Sequence, residues 1–232
     1  MEGLIREAVA FAGDLVRNIK GVRVSQDLFD DLAADAADRD VAIAAESATR
    51  KPSAAPLITR PFDYGAVITY PFVPHNWQAT RYSDGLAYGV WYGALELETT
   101  VYETVYHWHR FVMDSFAALD RPIAGERRVF NVRCDAILID LRRADEPRLT
   151  DRRDYRFTWQ VGRYLWERAQ SGVLAPSART VGTSAALLRP EALSDVRDVC
   201  FLTYRMNPAE DLVVAERAPG APWLRIRPSA LA

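Results

Sequence analysis

The chain is poor in lysine, histidine and cysteine, and each shortage removes a class of function. Lys20 and Lys51 are the only lysines among 29 basic residues, so positive charge is almost entirely arginine. Set against 31 acidic residues this leaves a net charge of -2, with no global pull toward nucleic acid or an anionic membrane. The two cysteines, Cys134 and Cys200, are too few for a disulfide framework and have no metal-ligand spacing. Both fall in apolar, strand-like runs and read as small core residues. The three histidines are His75, His107 and His109. The last two lie two apart on a helix-like run and so point to different faces, which argues against a shared metal. No metal site is expected. No apolar stretch reaches membrane-spanning length, and the first residues, with Glu2 and Glu7, lack a signal-peptide pattern. A cytoplasmic protein without membrane contact is expected. There is no GxxxxGKS/T loop, no GxGxxG following a strand and no GxSxG elbow, so P-loop, Rossmann and hydrolase-elbow sites are unsupported.

What the chain does have is enough apolar sequence (49%) for a substantial core. Leu4, Ile5, Val9, Leu15, Val16 and Ile19 fit a helical pattern over residues 3–19, which Gly21 would end. Ser25 would cap a second helix with Leu28 and Leu32 on its buried side. An Ala-rich stretch and the linker SATRKPSAAP follow. The expectation is a helical appendage with its linker over residues 1–56, and a main domain over 57–232. In that domain strands are expected at 57–60, 87–94, 127–134, 136–141, 185–188 and 199–204. Helices are expected at 98–111, with Val101, Val105 and Trp108 facing the core, and at 155–170. Pro61, Pro71 and Pro74 predict a long loop up to Thr80. Mixed strands and helices in this order predict an α+β fold rather than repeated βαβ units.

The most informative segment is RYSDGLAYGVWYGALELETTVYETVYH, residues 81–107. It sets Arg81, Tyr92 and Glu103 at equal steps: an anion binder on a polar turn, an aromatic on a strand and a carboxylate on a helix. Such a trio suits a substrate with a pyrophosphate, a planar ring and a developing positive charge. Arginine forks make paired hydrogen bonds to phosphate oxygens, and a fixed carboxylate stabilises a nearby cation. Arg60 in ITRPF, Tyr82 beside Arg81, and Ser177 in GVLAPSAR are further candidates. Ser177 has no base beside it in sequence and is not expected to act as a nucleophile.

These motifs resemble the RES domain, a bacterial toxin family named for its Arg, Glu and Ser. The resemblance runs from about Leu57 to Leu212, two thirds of the chain. It departs from many relatives at Arg60-Pro61-Phe62, where an aromatic usually follows the arginine directly. The resemblance implies an ADP-ribosyltransferase-like core of mixed strands with flanking helices. It implies NAD+ as substrate, with no separate cofactor. Glu103 would promote loss of nicotinamide, with Arg60 and Arg81 holding the anionic part of NAD+. Tyr92 would stack on nicotinamide or present its hydroxyl to the cleft, with Tyr82 beside it. Ser177 would hydrogen-bond ribose or Glu103. The ADP-ribosyl group would pass to water, inorganic phosphate or a protein. The resemblance further implies a neighbouring-gene antitoxin with an Xre-like helix-turn-helix, joined to the toxin in a higher-order complex. DNA contact would fall to that partner. A catalytically idle binding module is the alternative of a different class.

Overall fold

The structure is a computed structural model that describes residues 1, 3–21, 63–118 and 121–232. Residues 1–22 and 64–232 make one folded unit. The second unit, 23–63, lies outside the described residues except for Asp63, and with it the expected helix from Ser25 and strand at 57–60.

An eight-stranded sheet dominates, so the α+β expectation holds. Its strands are β1 (Ala8–Lys20), β2 (Trp91–Ala94), β3 (Ile123–Asp140), β4 (Gly172–Pro176), β5 (Thr183–Leu187), β6 (Leu193–Met206), β7 (Val213–Ala218) and β8 (Ala221–Ile226). The order is β1-β2-β5-β4-β3-β6-β7-β8. An additional β1–β3 pairing closes the first five strands into a ring. Among the described residues three α-helices accompany the sheet: α1 (Tyr64–Thr69), α2 (Leu97–Phe116) and α3 (Arg156–Glu167).

The helix expected over residues 3–19 is instead strand β1, and the appendage expected over 1–56 therefore yields a core strand. It pairs antiparallel with β3 along its whole length, from Ala8↔Ile139 to Lys20↔Arg127. The sequence fits both periods. Val9, Leu15 and Ile19 suit a helix stripe, but Val9, Phe11, Leu15 and Ile19 are also all odd-numbered and share one strand face. They pack with Trp91, Phe130 and Leu138. The other face sets Val16 against Val101 and Leu202. Thirteen paired residues and burial on two sides outweigh a local helical preference that Gly13 and Asn18 weaken.

The two strands expected at 127–134 and 136–141 are one, because β1 pairs straight through Asp135 opposite Ala12. The strand expected at 87–94 begins only at Trp91. Its first half is held in a turn by Ser83 Oγ donating to the Tyr88 carbonyl (2.7 Å) and Tyr88 Oη donating to the Tyr82 carbonyl (2.8 Å). The expected loop before Thr80 contains α1 and two 3-10 turns, each with a proline near its start.

Helix α2 forms as its pattern predicts. Val101, Val105, Trp108 and Val112 are buried against Val129, Leu202 and Tyr204, and Glu98 in the first turn complements the helix dipole. This fixes α2 over the sheet and leaves Glu103 and His107 on the next stripe, one turn apart, beside a cleft.

Candidate active site

The cleft has a volume of about 580 Å³, within the range of small-molecule sites. It opens beside the point where β1 leaves β2, which pair only at Val16↔Ala94. Arg81, Tyr82, Tyr92 and Glu103 all line it. Ser177, buried on the loop between β4 and β5, reaches the same carboxylate. The structure thus brings together five of the six residues singled out from sequence. Arg60 lies outside the described residues.

Glu103 projects from α2 and accepts a hydrogen bond from Ser177 Oγ at 2.6 Å on its Oε1. The serine hydroxyl itself accepts from the backbone N–H of Arg179 (3.1 Å) and of Thr180 (3.3 Å). A hydroxyl has one proton and two lone pairs, so all three are committed. Ser177 is a clamp on the carboxylate, holding Oε1 and leaving Oε2 for a ligand. The loop carrying it is fixed in turn by Arg179, whose guanidinium lies over the Tyr106 ring at 3.5 Å and donates to Tyr155 Oη at 3.1 Å. Gly182 closes the loop where an added Cβ would lie 2.1 Å from Thr99 Oγ1 on α2.

Arg81 sits on a short turn that α3 pins from outside. Trp159 Nε1 donates to the Thr80 carbonyl (2.7 Å), and Thr158 Oγ1 donates to the Arg81 carbonyl. The approach is close enough that a Cβ on Gly162 would stand 1.9 Å from the Tyr82 carbonyl oxygen. The Arg81 guanidinium lies 4.6 Å from the Tyr155 ring and donates to the carbonyls of Asp151 (2.8 Å) and Leu149 (3.2 Å). These neutral acceptors orient it without cancelling its charge.

Tyr92 differs from one of its two expected roles. Its hydroxyl donates to Thr80 Oγ1 (2.9 Å) and accepts from the Tyr82 backbone N–H (2.9 Å). It is therefore committed to bracing the Arg81 turn and is not offered to the cleft, which the residue nonetheless lines. Burial pushes its pKa up to about 12, so it stays a protonated donor. Tyr82 is buried, burial raises its pKa, and its hydroxyl has no hydrogen-bond partner among the described residues.

Sequence reasoning missed several lining residues. His107 lies one helical turn beyond Glu103 and lines the cleft. Although its side chain is solvent-reachable, enclosure in the cleft lowers its pKa. Glu103 opposes that shift, while Arg179, Arg110 and Arg81 reinforce it. The four-residue spacing from Glu103 was the available signal. Arg17, Lys20, Arg110, Arg127 and Tyr155 also line the cleft and carried no local motif. Among the described residues that line the cleft, Glu103 is the sole carboxylate, against five lysine and arginine side chains. Among the described residues, no group of three or more His, Cys, Asp or Glu is placed to hold a metal ion. Nor is any described helix long and apolar enough to cross a membrane.

Fold and site together define a mixed α+β protein with one clamped carboxylate in an arginine-lined cleft. The RES domain family matches residues 54–207, and the chain belongs to that family. A chain of the M. tuberculosis MbcT–MbcA toxin–antitoxin complex is similar to it, at 13% identity and a TM-score of 0.48. That likeness covers 90% of this chain and 94% of the other. A comparison with curated proteins found no match.

Proposed function

We propose that the chain is the toxin of a type II toxin–antitoxin pair and cleaves the nicotinamide–ribose bond of NAD+. The observation that carries this reading is the Ser177-clamped Glu103 standing, among the described lining residues, as the sole carboxylate amid cations. Arg81 supplies a fork for the diphosphate, and Glu103 Oε2 accepts a hydrogen bond from a ribose hydroxyl. As the C–N bond breaks, nicotinamide leaves with the bonding electron pair and positive charge grows on the ribose. The fixed carboxylate stabilises that charge, and the stabilisation strengthens toward the transition state. An acceptor oxygen then bonds to the anomeric carbon and loses its proton, to solvent when the acceptor is water. With water the product is ADP-ribose; with inorganic phosphate it is a phosphorylated ADP-ribose.

The consequence is NAD+ depletion and growth arrest in the cytoplasm, relieved by an Xre-like antitoxin encoded nearby. Transfer to a protein acceptor shares the same transition state and is the second reading. The test is NAD+ loss by purified protein with and without phosphate, with products identified by mass spectrometry. ADP-ribose or its phosphorylated form in the wild type, and neither in Glu103→Gln, is the expected result. Intact NAD+ in both conditions removes hydrolysis and phosphorolysis. Labelling of a protein by the wild type would then select the transferase.

A further inference from the structure

Among the described residues, three of the five cations lining the cleft, Arg17, Lys20 and Arg127, come from strands β1 and β3 rather than from the RES motifs. Arg17 precedes the family-matched segment altogether. Its guanidinium donates through Nη1 to the Tyr92 carbonyl, crossing the gap that opens where β1 leaves β2, and lies 5.0 Å from the Trp91 ring. Its Nε is sealed from solvent and has no hydrogen-bond partner among the described residues. Arg127 is buried, and its Nε and Nη2 donate to the side-chain and backbone oxygens of Asn18, each at 2.9 Å. No ion pair with a described carboxylate involves either arginine. By contrast Arg128, Arg142, Arg148, Arg156 and Arg197 each contact one within 4 Å.

Placing two desolvated cations near each other without counter-charge is unfavourable unless something offsets it. Burial first, and then the charge of Arg127, lower the Arg17 pKa to about 10, so it is still protonated at neutral pH. Lys20, opposite Arg127 in the β1–β3 register, adds a third cation lining the cleft. The neutral acceptors around Arg17 and Arg127 orient the two forks but do not neutralise them. A tetrahedral phosphoryl group does both, since its oxygens match the arginine fork and its charge cancels the repulsion.

We propose that Arg17, in the field of Arg127, is a second phosphoryl-binding station of the cleft, separate from the one at Arg81. The two stations stand on different elements: Arg81 leans on the 149–155 loop, Arg17 on β1. This deepens the NAD+ reading above, on which the choice of probe rests. The bound group is either a phosphate of the dinucleotide or free inorganic phosphate.

Calorimetric titration of full-length protein with inorganic phosphate, and separately with ADP-ribose, distinguishes these. ADP-ribose carries the diphosphate and has no nicotinamide to lose. Arg17→Met keeps the apolar stem over Trp91 and removes the fork; Arg17→Lys keeps the charge without the fork and serves if the first variant does not fold. Phosphate binding is expected to weaken at least ~10-fold in Arg17→Met and by less in Arg17→Lys. A parallel loss of ADP-ribose affinity assigns the station to the dinucleotide. Loss confined to phosphate, with ADP-ribose still able to bind alongside it, assigns the station to the free anion. Unchanged affinity for both probes in a folded Arg17 variant overturns the proposal, as does a wild type that binds neither. Arg17-dependent phosphate binding without any NAD+ cleavage would sink the proposed function and leave the station standing. NAD+ cleavage with Arg17-independent affinities would do the reverse.

Discussion

Ser177 gives its only hydroxyl proton to Glu103, across 2.6 Å, while two backbone N–H groups hold the serine oxygen in place. A loop residue and a helix residue 74 positions apart thereby act as one unit. Removing the hydroxyl leaves the carboxylate in the cleft but free to rotate. Ser177→Ala should lower NAD+ turnover roughly 10- to 100-fold through misplacement of the carboxylate. Glu103→Gln, which removes the charge itself, should cost on the order of 100- to 1000-fold. Turnover assayed on both variants, each with an unchanged melting curve, checks the order. A Ser177→Ala protein as slow as Glu103→Gln would make the serine more than a clamp.

Gly162→Ala tests the packing that holds Arg81. Its Cβ would stand 1.9 Å from the Tyr82 carbonyl, backbone that cannot swing aside as a flexible side chain could. Helix α3 must then lift from the turn, at about 1–3 kcal/mol. At about 2–4 °C per kcal/mol for a domain of this size, calorimetric melting should show a drop of several degrees. ADP-ribose affinity should fall with it, because Arg81 rides on that turn.

Leu15→Ala tests whether β1 belongs to the core. Leu15 is fully buried with Trp91 and Phe130, so truncation should destabilise by about 2–5 kcal/mol in denaturant unfolding. A loss below about 0.5 kcal/mol, as for a surface substitution, would mean β1 is peripheral.

His107 gives the chain a pH dependence of definite sign. Its folded pKa lies below the ordinary 6.5, because of enclosure first and then nearby arginines. The folded state therefore binds fewer protons than the unfolded one near and below that value. Stability contributed at this position is present above pH 6.5 and is lost as pH falls through 6.5 toward the lower folded value. The difference in unfolding free energy between wild type and His107→Gln, followed downward from pH 7.5, should narrow or reverse over that window. Proton NMR of the imidazole should show a midpoint below 6.5. A midpoint above 6.5 would mean that Glu103 outweighs the arginines.

The readable parts of the chain were those in which local pattern and tertiary role agree. Val101, Val105 and Trp108 mark the buried stripe of α2 by their spacing alone. Arg81, Tyr82, Tyr92, Glu103 and Ser177, singled out by residue type and motif, meet at one cleft. Residues 8–20 failed because Ala, Val and Leu at those positions satisfy helix and strand periods alike, and the choice was made by β3, more than a hundred residues away. Tyr92 lines the cleft, but of its two expected roles the free hydroxyl is excluded, since Thr80 and the Tyr82 N–H take it and nothing local shows that.

The sequence by itself therefore determined the position of the central helix and the mixed α+β class, and singled out five described side chains that meet at one cleft. These follow from residue type and short-range periodicity. Only the tertiary structure decided that β1 is a core strand, that Ser177 clamps Glu103 and that Arg17 enters the cleft without an ion pair to a described carboxylate. Each depends on elements distant in sequence meeting in space, where long-range strand pairing and burial outweigh the weak local preferences of the segments involved.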